Sequence, residues 1–290
     1  MTSAVPAAPA LAPNPFAKPR LTRAQVEFFR REGYLKYDMP VFQDAEFAAL
    51  KTHFEEKLRQ LPPEMRSEAM DVPHFTDLAL FRWLFSSAVL DLVEPLLGPD
   101  IALFSSHFIC KPGGHGKRVP WHEDSYYWGY RKTGVTANPM LEPMEVVTLW
   151  LAIDPSTTVN GCMKVIPRTQ HNGASDYEPV DPNANVFPIE MCRSQIETAR
   201  PVALELQPNQ ASLHEGRLVH GSDANTSPQR RCGYTMRYIS TRVKFRQEQH
   251  PHHQIYLARG RDHAGNQYAD ATRVYTELAR YREVNKKTGH

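Results

Sequence analysis

Residues 101–124 read IALFSSHFICKPGGHGKRVPWHED and hold the clearest strand pattern and the most informative polar motif of the chain. Side chains from 101 to 111 alternate with period 2, and few of them are charged, which predicts a β-strand covered on both faces. A glycine-rich turn then leads into VPWHED. Alternate residues of a strand point to the same side, so we expect His122 and Asp124 to face one space and to bind one metal ion together.

The rest of the sequence places helices before strands. A capping box at Thr22 and Gln25 opens a helix that should end near Gly33, and apolar residues at three- and four-residue steps predict a second helix after Asp44. Shorter helices are predicted at about 76–86 and 87–97, and further strands at 145–153, 201–206, 211–220 and 231–243. This order predicts an α+β fold with a mainly β core, an antiparallel barrel or sandwich behind a helical layer.

We expect one domain preceded by a disordered arm. Residues 1–20 are rich in proline and alanine, a composition that disfavours helices and packed strands. The expected parts of the domain, residues 21–290, are a helical layer at about 21–100, a β core at about 101–245, and a tail with a final polar helix at 246–290. The long connections 125–142 and 171–200 have the length of lids or binding loops.

Composition excludes several classes of protein. The 34 basic and 32 acidic residues are interspersed, without the basic stripe that nucleic-acid binding requires. No stretch approaches the roughly 18 apolar residues of a membrane span, and the N-terminus does not resemble a signal peptide. The 4 cysteines are singly spaced, unlike a zinc ribbon or a disulfide framework. We therefore expect a cytoplasmic protein, monomeric or homodimeric, with reduced thiols and without nucleic-acid or membrane partners.

A third ligand beside His122 and Asp124 would complete a set of two histidines and one carboxylate, which leaves positions on Fe(II) open for oxygen and substrate. His220 is the preferred candidate, because it ends an apolar run just before Gly221 and would project from a strand end. His214 is its rival, since residues six apart on one strand share a face. The strand pattern alone does not decide between the two histidines.

The chain resembles the phytanoyl-CoA dioxygenase family of Fe(II)- and 2-oxoglutarate-dependent oxygenases over roughly residues 22–245. The segments that carry the resemblance are WHED at 121–124, VTLWLAID at 147–154, NGCM at 160–163, VIP at 165–167 with His171, HGS at 220–222, Asn225, Ser227 and Arg231. The resemblance implies a double-stranded β-helix (a jelly-roll, cupin-like barrel).

The resemblance also implies the site. The iron ligands would be His122, Asp124 and His220, and Arg231 would hold the C5 carboxylate of 2-oxoglutarate, for which its planar fork of donors is well suited. The cosubstrate pocket is also implied to be lined by Lys111, Trp150 and Ser222. The cofactors would be Fe(II), 2-oxoglutarate and O₂, with succinate and CO₂ as coproducts. A carboxylate at position 124 argues against the halogenating relatives.

The substrate is less defined by the sequence. We expect a small-molecule metabolite or natural-product intermediate with an unactivated C–H bond. Candidate substrate residues, chosen from the aromatic stretch after the motif and from strand faces, are Tyr126, Tyr127, Arg131, His107 and Arg237. Hydroxylation is the expected reaction, although the same site could perform desaturation, cyclisation or epimerisation. A non-catalytic barrel-fold binding protein and a zinc hydrolase are two further functions compatible with the predicted fold and ligands.

Overall fold

The computed structural model describes residues 20–62, 70–132 and 138–279, which begin with helices and continue with strands. The helices are α1 (Arg23–Glu32), α2 (Asp44–Gln60), α3 (Phe81–Leu84), α4 (Ser87–Leu97) and α5 (Asp124–Tyr127), with 3-10 turns at Pro73–Phe75, Leu78–Leu80, Thr169–His171 and Arg193–Gln195. The strands are β1 (Tyr34–Tyr37), β2 (Ile101–Lys111), β3 (Val119–His122), β4 (Leu141–Glu142), β5 (Val147–Ala152), β6 (Met163–Val165), β7 (Tyr177–Pro179), β8 (Ile189–Met191), β9 (Val202–Ala203), β10 (Ala211–Glu215), β11 (His220–Ser222), β12 (Arg231–Ser240), β13 (Lys244–Phe245) and β14 (Tyr256–Arg259). Within these ranges no helix is both long and apolar enough to cross a bilayer.

The helical layer largely follows the sequence pattern. Thr22 and Gln25 form the predicted capping box, and α1 ends at Gly33, whose φ of 81° is left-handed. Residues 87–97 are helical as predicted. The prediction of one helix at 76–86 is wrong, because the Asp77 side chain accepts a hydrogen bond from the Ala79 N–H and starts a separate 3-10 turn before α3.

Two antiparallel sheets dominate the β region. One has six strands in the order β1-β10-β5-β12-β2-β14, and the other has four in the order β3-β11-β6-β9. The predicted antiparallel β core behind a helical layer is confirmed at this level. The predicted run 211–220 is two strands in different sheets, since the chain leaves the first sheet after Glu215 and enters the second at His220.

The six-stranded sheet has two buried faces of different character. Alternate residues of β12 (Cys232, Tyr234, Met236 and Tyr238) pack with the helices in one apolar cluster. The intervening residues of β12, which include Arg231, Thr235 and Arg237, lie on the opposite face and are also buried. On that inner side, Trp150 of the larger sheet packs with Met163 and Val165 of the smaller one. The two sheets therefore enclose an interior that has both an apolar cluster and buried charged residues.

The ends of the chain match the predictions less well. The predicted disordered arm lies outside the described residues, apart from Arg20. The predicted final helix after 265 is helical only at 276–279 within the described residues, and residues 280–290 lie outside them. The strand predicted at 201–206 is reduced to β9, whose two residues pair with β6.

Candidate metal centre

Three side chains converge between the sheets. His122 ends β3 and His220 begins β11, and the two are direct partners across these strands. Asp124 is the first residue of α5. One ligand atom from each of these residues lies within 4.8 Å of the other two, and all three side chains are buried.

Asp124 does not continue the strand of His122, although the alternation predicts that it should. The strand stops at His122, because the Ser125 N–H donates to the Gly216 carbonyl at 2.9 Å and the Tyr126 N–H donates to the Glu123 carbonyl at 3.1 Å. These two bonds turn the backbone into α5. The carboxylate nevertheless faces the histidines, as expected.

Both imidazoles present the nitrogen that a metal would use. His122 Nδ1 lies 2.8 Å from the Pro120 carbonyl oxygen, and His220 Nδ1 lies 2.9 Å from the Leu218 carbonyl oxygen. A carbonyl only accepts, so each Nδ1 carries the proton and each Nε2 keeps its lone pair. A backbone acceptor of this kind commonly orients a metal-ligating histidine.

The two oxygens of the Asp124 carboxylate face different neighbours. Oδ1 lies 3.8 Å from His122 Nε2 and 3.9 Å from His220 Nε2. Oδ2 lies 3.2 Å from Arg237 Nε and 3.9 Å from His214 Nε2. Only Oδ1 is therefore turned toward the two candidate ligands.

Charge and burial set the protonation states that a metal requires. Burial alone would raise the pKa of Asp124, but the Arg237 charge and the neighbouring histidines hold that pKa well below its usual range. Burial, reinforced by the nearby His122, lowers the pKa of His220 well below its usual value. An ionised carboxylate and a neutral imidazole are the forms that bind a cation.

His214, the rival ligand, lies beside the three-residue group. It is on β10 in the other sheet, and its ring centroid is 4.8 Å from that of His220. Neither of its ring nitrogens has a hydrogen-bond partner among the described residues, and burial lowers its pKa. Its position favours a role next to Asp124 over one as a ligand.

The four residues implied to hold 2-oxoglutarate also come together. Arg231 and Lys111 are direct partners across β12 and β2. The Arg231 guanidinium lies 5.3 Å from the centroid of the Trp150 ring, and its Nη2 is 3.5 Å from Ser222 Oγ. The Lys111 ammonium donates to the Ser222 carbonyl at 3.4 Å and to the Asp223 carbonyl. Two buried cations at one end of the interior would suit a dicarboxylate.

Two buried hydroxyl groups lie on the inner face of the six-stranded sheet. Thr148 Oγ1 and Ser212 Oγ are buried and have no hydrogen-bond partner among the described residues. In the sheet Thr148 is the partner of both His214 and Arg237, and Ser212 is the partner of Trp150. Buried polar groups are normally satisfied, so these hydroxyls indicate that the interior accommodates a polar ligand or water. The residues present thus fit both a metal ion and a dicarboxylate.

The predicted substrate residues lie in different surroundings. Tyr127 is in α5 and not in a loop, and its ring centroid is 5.8 Å from that of His122. Tyr126 packs against Tyr177, with ring centroids 3.9 Å apart, and the Arg131 guanidinium lies 4.8 Å from the centroid of the Tyr126 ring.

The remaining two predicted substrate residues are on the six-stranded sheet. His107 Nδ1 lies 3.9 Å from the Asp71 carboxylate, and the His107 carbonyl accepts a hydrogen bond from Thr235. Arg237 is turned toward Asp124. Of these two residues, the described contacts place Arg237 next to the metal group and His107 next to Asp71.

Phe187 is a neighbour of the site that the sequence does not indicate. Its ring centroid lies 5.1 Å from that of His122 and 4.9 Å from that of Tyr127. It belongs to the connection 171–200, whose length is that of a lid or binding loop. No periodicity or motif singles out one aromatic residue in such a connection.

Two histidines and one carboxylate, converging between antiparallel sheets beside a buried arginine, are the features of a non-haem iron oxygenase. The sequence profile described as "Phytanoyl-CoA dioxygenase (PhyH)" matches residues 29–233. The chain belongs to the phytanoyl-CoA dioxygenase family.

Individual relatives are distant. The phytanoyl-CoA dioxygenase domain-containing protein 1 homolog of Dictyostelium discoideum is 28% identical over 158 residues, which cover 53% of this chain and 52% of the relative. The chain thus spans about half the length of that relative. The L-proline trans-4-hydroxylase of Streptomyces griseoviridis is 25% identical over 72% of this chain and 83% of the enzyme. The solved structure of the non-heme monooxygenase ThoJ, in its apo form, is similar with a TM-score of 0.63 at 21% identity, covering 91% of this chain and 95% of that one.

Proposed function

We propose that this protein is an Fe(II)- and 2-oxoglutarate-dependent dioxygenase that hydroxylates an unactivated C–H bond of a small-molecule metabolite or natural-product intermediate. The observation that carries the proposal is the buried group of His122, Asp124 and His220, with Arg231 in the same interior. Membership of the PhyH family supports the reaction, and the relative named as a proline hydroxylase supports a small substrate.

The chain's own residues would hold the metal and keep water away from it. His122 and His220 would bind through Nε2 and Asp124 through Oδ1, the atoms that face one another. Bound Fe(II), with 2-oxoglutarate and O₂, supplies the oxidation of the C–H bond, with succinate and CO₂ as coproducts. The three residues are at most 7% exposed, so the site is largely shielded from solvent, which strengthens every electrostatic interaction within it.

Arg231, Lys111, Trp150 and Ser222 would bind the cosubstrate. The guanidinium matches the two oxygens of a carboxylate, and the Trp150 ring and the Ser222 hydroxyl fix its plane. Lys111 adds a second charge at the same end of the interior. A dicarboxylate held there would extend past the free hydroxyls of Thr148 and Ser212 toward the metal group.

The substrate would enter beside α5. Tyr127 is 40% exposed and contacts Phe187, so these two rings offer an apolar surface next to His122. Tyr126 and Arg131 would stabilise this surface, since Tyr126 packs against Tyr177 and the Arg131 guanidinium lies over the Tyr126 ring. Arg237 would act through its contact with Asp124, and His107 would lie beside Asp71.

We further propose that residues 21–290 form one oxygenase domain and that its two large sheets are the halves of a jelly roll. Antiparallel pairing throughout both sheets supports this fold, as does the apolar cluster that joins them at Trp150 and Val165. The bound substrate's position relative to the metal would decide between hydroxylation and desaturation, cyclisation or epimerisation.

The test is an anaerobic titration with Fe(II) and 2-oxoglutarate. The wild-type protein should develop the weak visible charge-transfer band that 2-oxoglutarate gives when it chelates Fe(II). Asp124→Ala should lose it by losing the metal, and Arg231→Ala should need far more 2-oxoglutarate. Matched controls are Asp38→Ala and Arg242→Ala, at exposed positions. If the wild type gives no band, and releases no succinate under air with any of a panel of substrates, the proposal is wrong.

A further inference from the structure

The two oxygens of Asp124 have separate neighbours, and Oδ2, the oxygen turned away from His122 and His220, faces two other side-chain nitrogens. Arg237 Nε lies 3.2 Å from Oδ2, and His214 Nε2 lies 3.9 Å from it on another strand. Resting on the metal centre proposed above, we propose that Arg237 and His214 are positioning residues that hold Oδ2, so that Asp124 offers only Oδ1 to the metal.

Arg237 is itself fixed in place. It lies on β12, and its Nη1 donates to Thr235 Oγ1 at 3.1 Å. Its guanidinium also lies 5.6 Å from the centroid of the Trp128 ring, and the residue is only 9% exposed. Because Thr235 and Trp128 hold the guanidinium independently of Asp124, it opposes rotation of the carboxylate.

His214 approaches Asp124 Oδ2 from β10. It is 1% exposed, and its ring nitrogens have no hydrogen-bond partner among the described residues. Apart from the His220 ring, the polar group that its Nε2 faces is Asp124 Oδ2. A buried imidazole donor aimed at a carboxylate in this way would be satisfied by a small approach of the two groups.

The consequence concerns how many positions on the metal stay open. A carboxylate that binds through both oxygens takes a second coordination position, one that the facial set of ligands must leave to the cosubstrate, oxygen or substrate. Donors that occupy Oδ2 oppose this mode. Partners in the second layer around a metal typically contribute roughly 10- to 100-fold to its affinity.

The test uses Co(II) alone, whose visible absorption reports coordination number and needs no turnover. Arg237→Met removes the donors and keeps the apolar stem, and we expect it to weaken Co(II) binding roughly 10- to 100-fold and to change the band shape. His214→Phe should show a smaller loss, because its nitrogen lies farther from Oδ2. Arg237→Gln should recover part of the affinity, since it restores an N–H donor.

The direction of the change in Co(II) affinity distinguishes a positioning role of Arg237 from simple charge repulsion. The Arg237 charge repels a divalent cation, so repulsion alone predicts tighter binding once the arginine is removed. Unchanged or tighter Co(II) binding by Arg237→Met and His214→Phe therefore overturns the proposal. If the wild type itself binds no Co(II), the proposed metal centre fails and the positioning role fails with it.

A destabilised control excludes a general loss of folding. Tyr238 is the next residue of β12, but it points into the helical layer, where its hydroxyl donates to the Leu84 carbonyl at 2.7 Å. Tyr238→Phe should lower the midpoint of thermal unfolding and leave Co(II) affinity unchanged. A parallel loss of affinity in Tyr238→Phe would assign the effect of Arg237→Met to instability and overturn the positioning role.

Discussion

Gly233 leaves room for the Trp150 ring in the proposed cosubstrate pocket. It lies on the inner face of β12, between Arg231 and Thr235. A Cβ built there would lie 2.1 Å from Cζ2 of Trp150, the ring that stacks on Arg231. The backbone of Gly233 has no positive φ, so glycine is required here by the close approach of the indole and not by conformation.

We predict that Gly233→Ala weakens 2-oxoglutarate binding without weakening metal binding. The added methyl group would displace the Trp150 ring and with it the plane of Arg231, at a cost in stability of about 1–3 kcal/mol. Isothermal titration should show a raised dissociation constant for 2-oxoglutarate on the Co(II)-loaded protein and an unchanged one for Co(II). Ser240→Ala, at the far end of the same strand, serves as the control. Equal 2-oxoglutarate affinity in the two variants would contradict the prediction.

The sequence predicts which residues belong to the candidate site better than it predicts the contacts between them. His122 and Asp124 are two residues apart, so their proximity follows from local geometry in either a strand or a turn. The contact of Arg237 with Asp124 joins residues 113 apart, and its direction depends on how two elements pack. The alternation along β12 predicts the face of Arg237 correctly, but the partner on that face cannot be predicted from one strand.

At the scale of elements, periodicity identifies strands but not where the chain changes sheet. The pattern predicts a single strand at 211–220, yet the Leu218 N–H bonds back to the Glu215 carbonyl and the chain crosses between sheets there. In β2 the pairing register shifts between Ser105 and Leu103. That bulge puts Leu103 and Phe108 on the same apolar side, although strict alternation predicts opposite sides.

The hairpin of β7 and β8 is attached to the strand that carries His122. Arg118 forms a close ion pair with Glu190, and the Trp121 N–H donates to the same carboxylate at 3.0 Å. On the other side, the Glu123 N–H donates to the Tyr177 hydroxyl at 2.9 Å. These contacts hold the connection that carries Phe187 onto the candidate metal centre.

We predict that Glu190→Ala loosens this hairpin and leaves the metal centre intact. The change removes the ion pair and leaves the Trp121 N–H without its acceptor, which costs about 1–3 kcal/mol if the group stays buried. Amide hydrogen exchange in residues 172–200 should become faster, and limited proteolysis should cut there first. Glu197→Ala, an exposed change in the same connection, is the control. Unchanged exchange in Glu190→Ala would show that the hairpin is held in another way, and a loss of Co(II) affinity would show that the metal centre depends on it.

At the scale of the whole molecule, the six-stranded sheet has one apolar and one charged face, and this difference explains which layer covers each face. Its outer face is apolar and is covered by the helices, while its inner face carries Arg231, Arg237 and Lys111 and is covered by the second sheet. Burying these charges is costly unless they have partners or ligands. The charged interior is therefore organised for binding and lowers the stability of the fold. Buried ionisable groups elsewhere in the protein should also make its stability depend on pH.

Glu215 is one group through which we expect that dependence, because burial raises its pKa from 4.5 to about 7. Arg217 opposes the rise through a hydrogen bond at 3.0 Å, and the like charge of Glu145 adds to it. The folded protein thus holds a proton that the unfolded chain has released, so stability falls as pH rises from 4.5 to about 7.

Glu215→Gln, which stays neutral, should equal the wild type in stability near pH 4 and exceed it by up to about 3 kcal/mol near pH 8. Urea unfolding across this range measures the difference, in which titrations shared by both proteins cancel. Glu248→Gln, at an exposed position, should run parallel to the wild type. A constant difference between Glu215→Gln and the wild type would mean that Glu215 has the same pKa in the folded and unfolded protein, with Arg217 offsetting its burial.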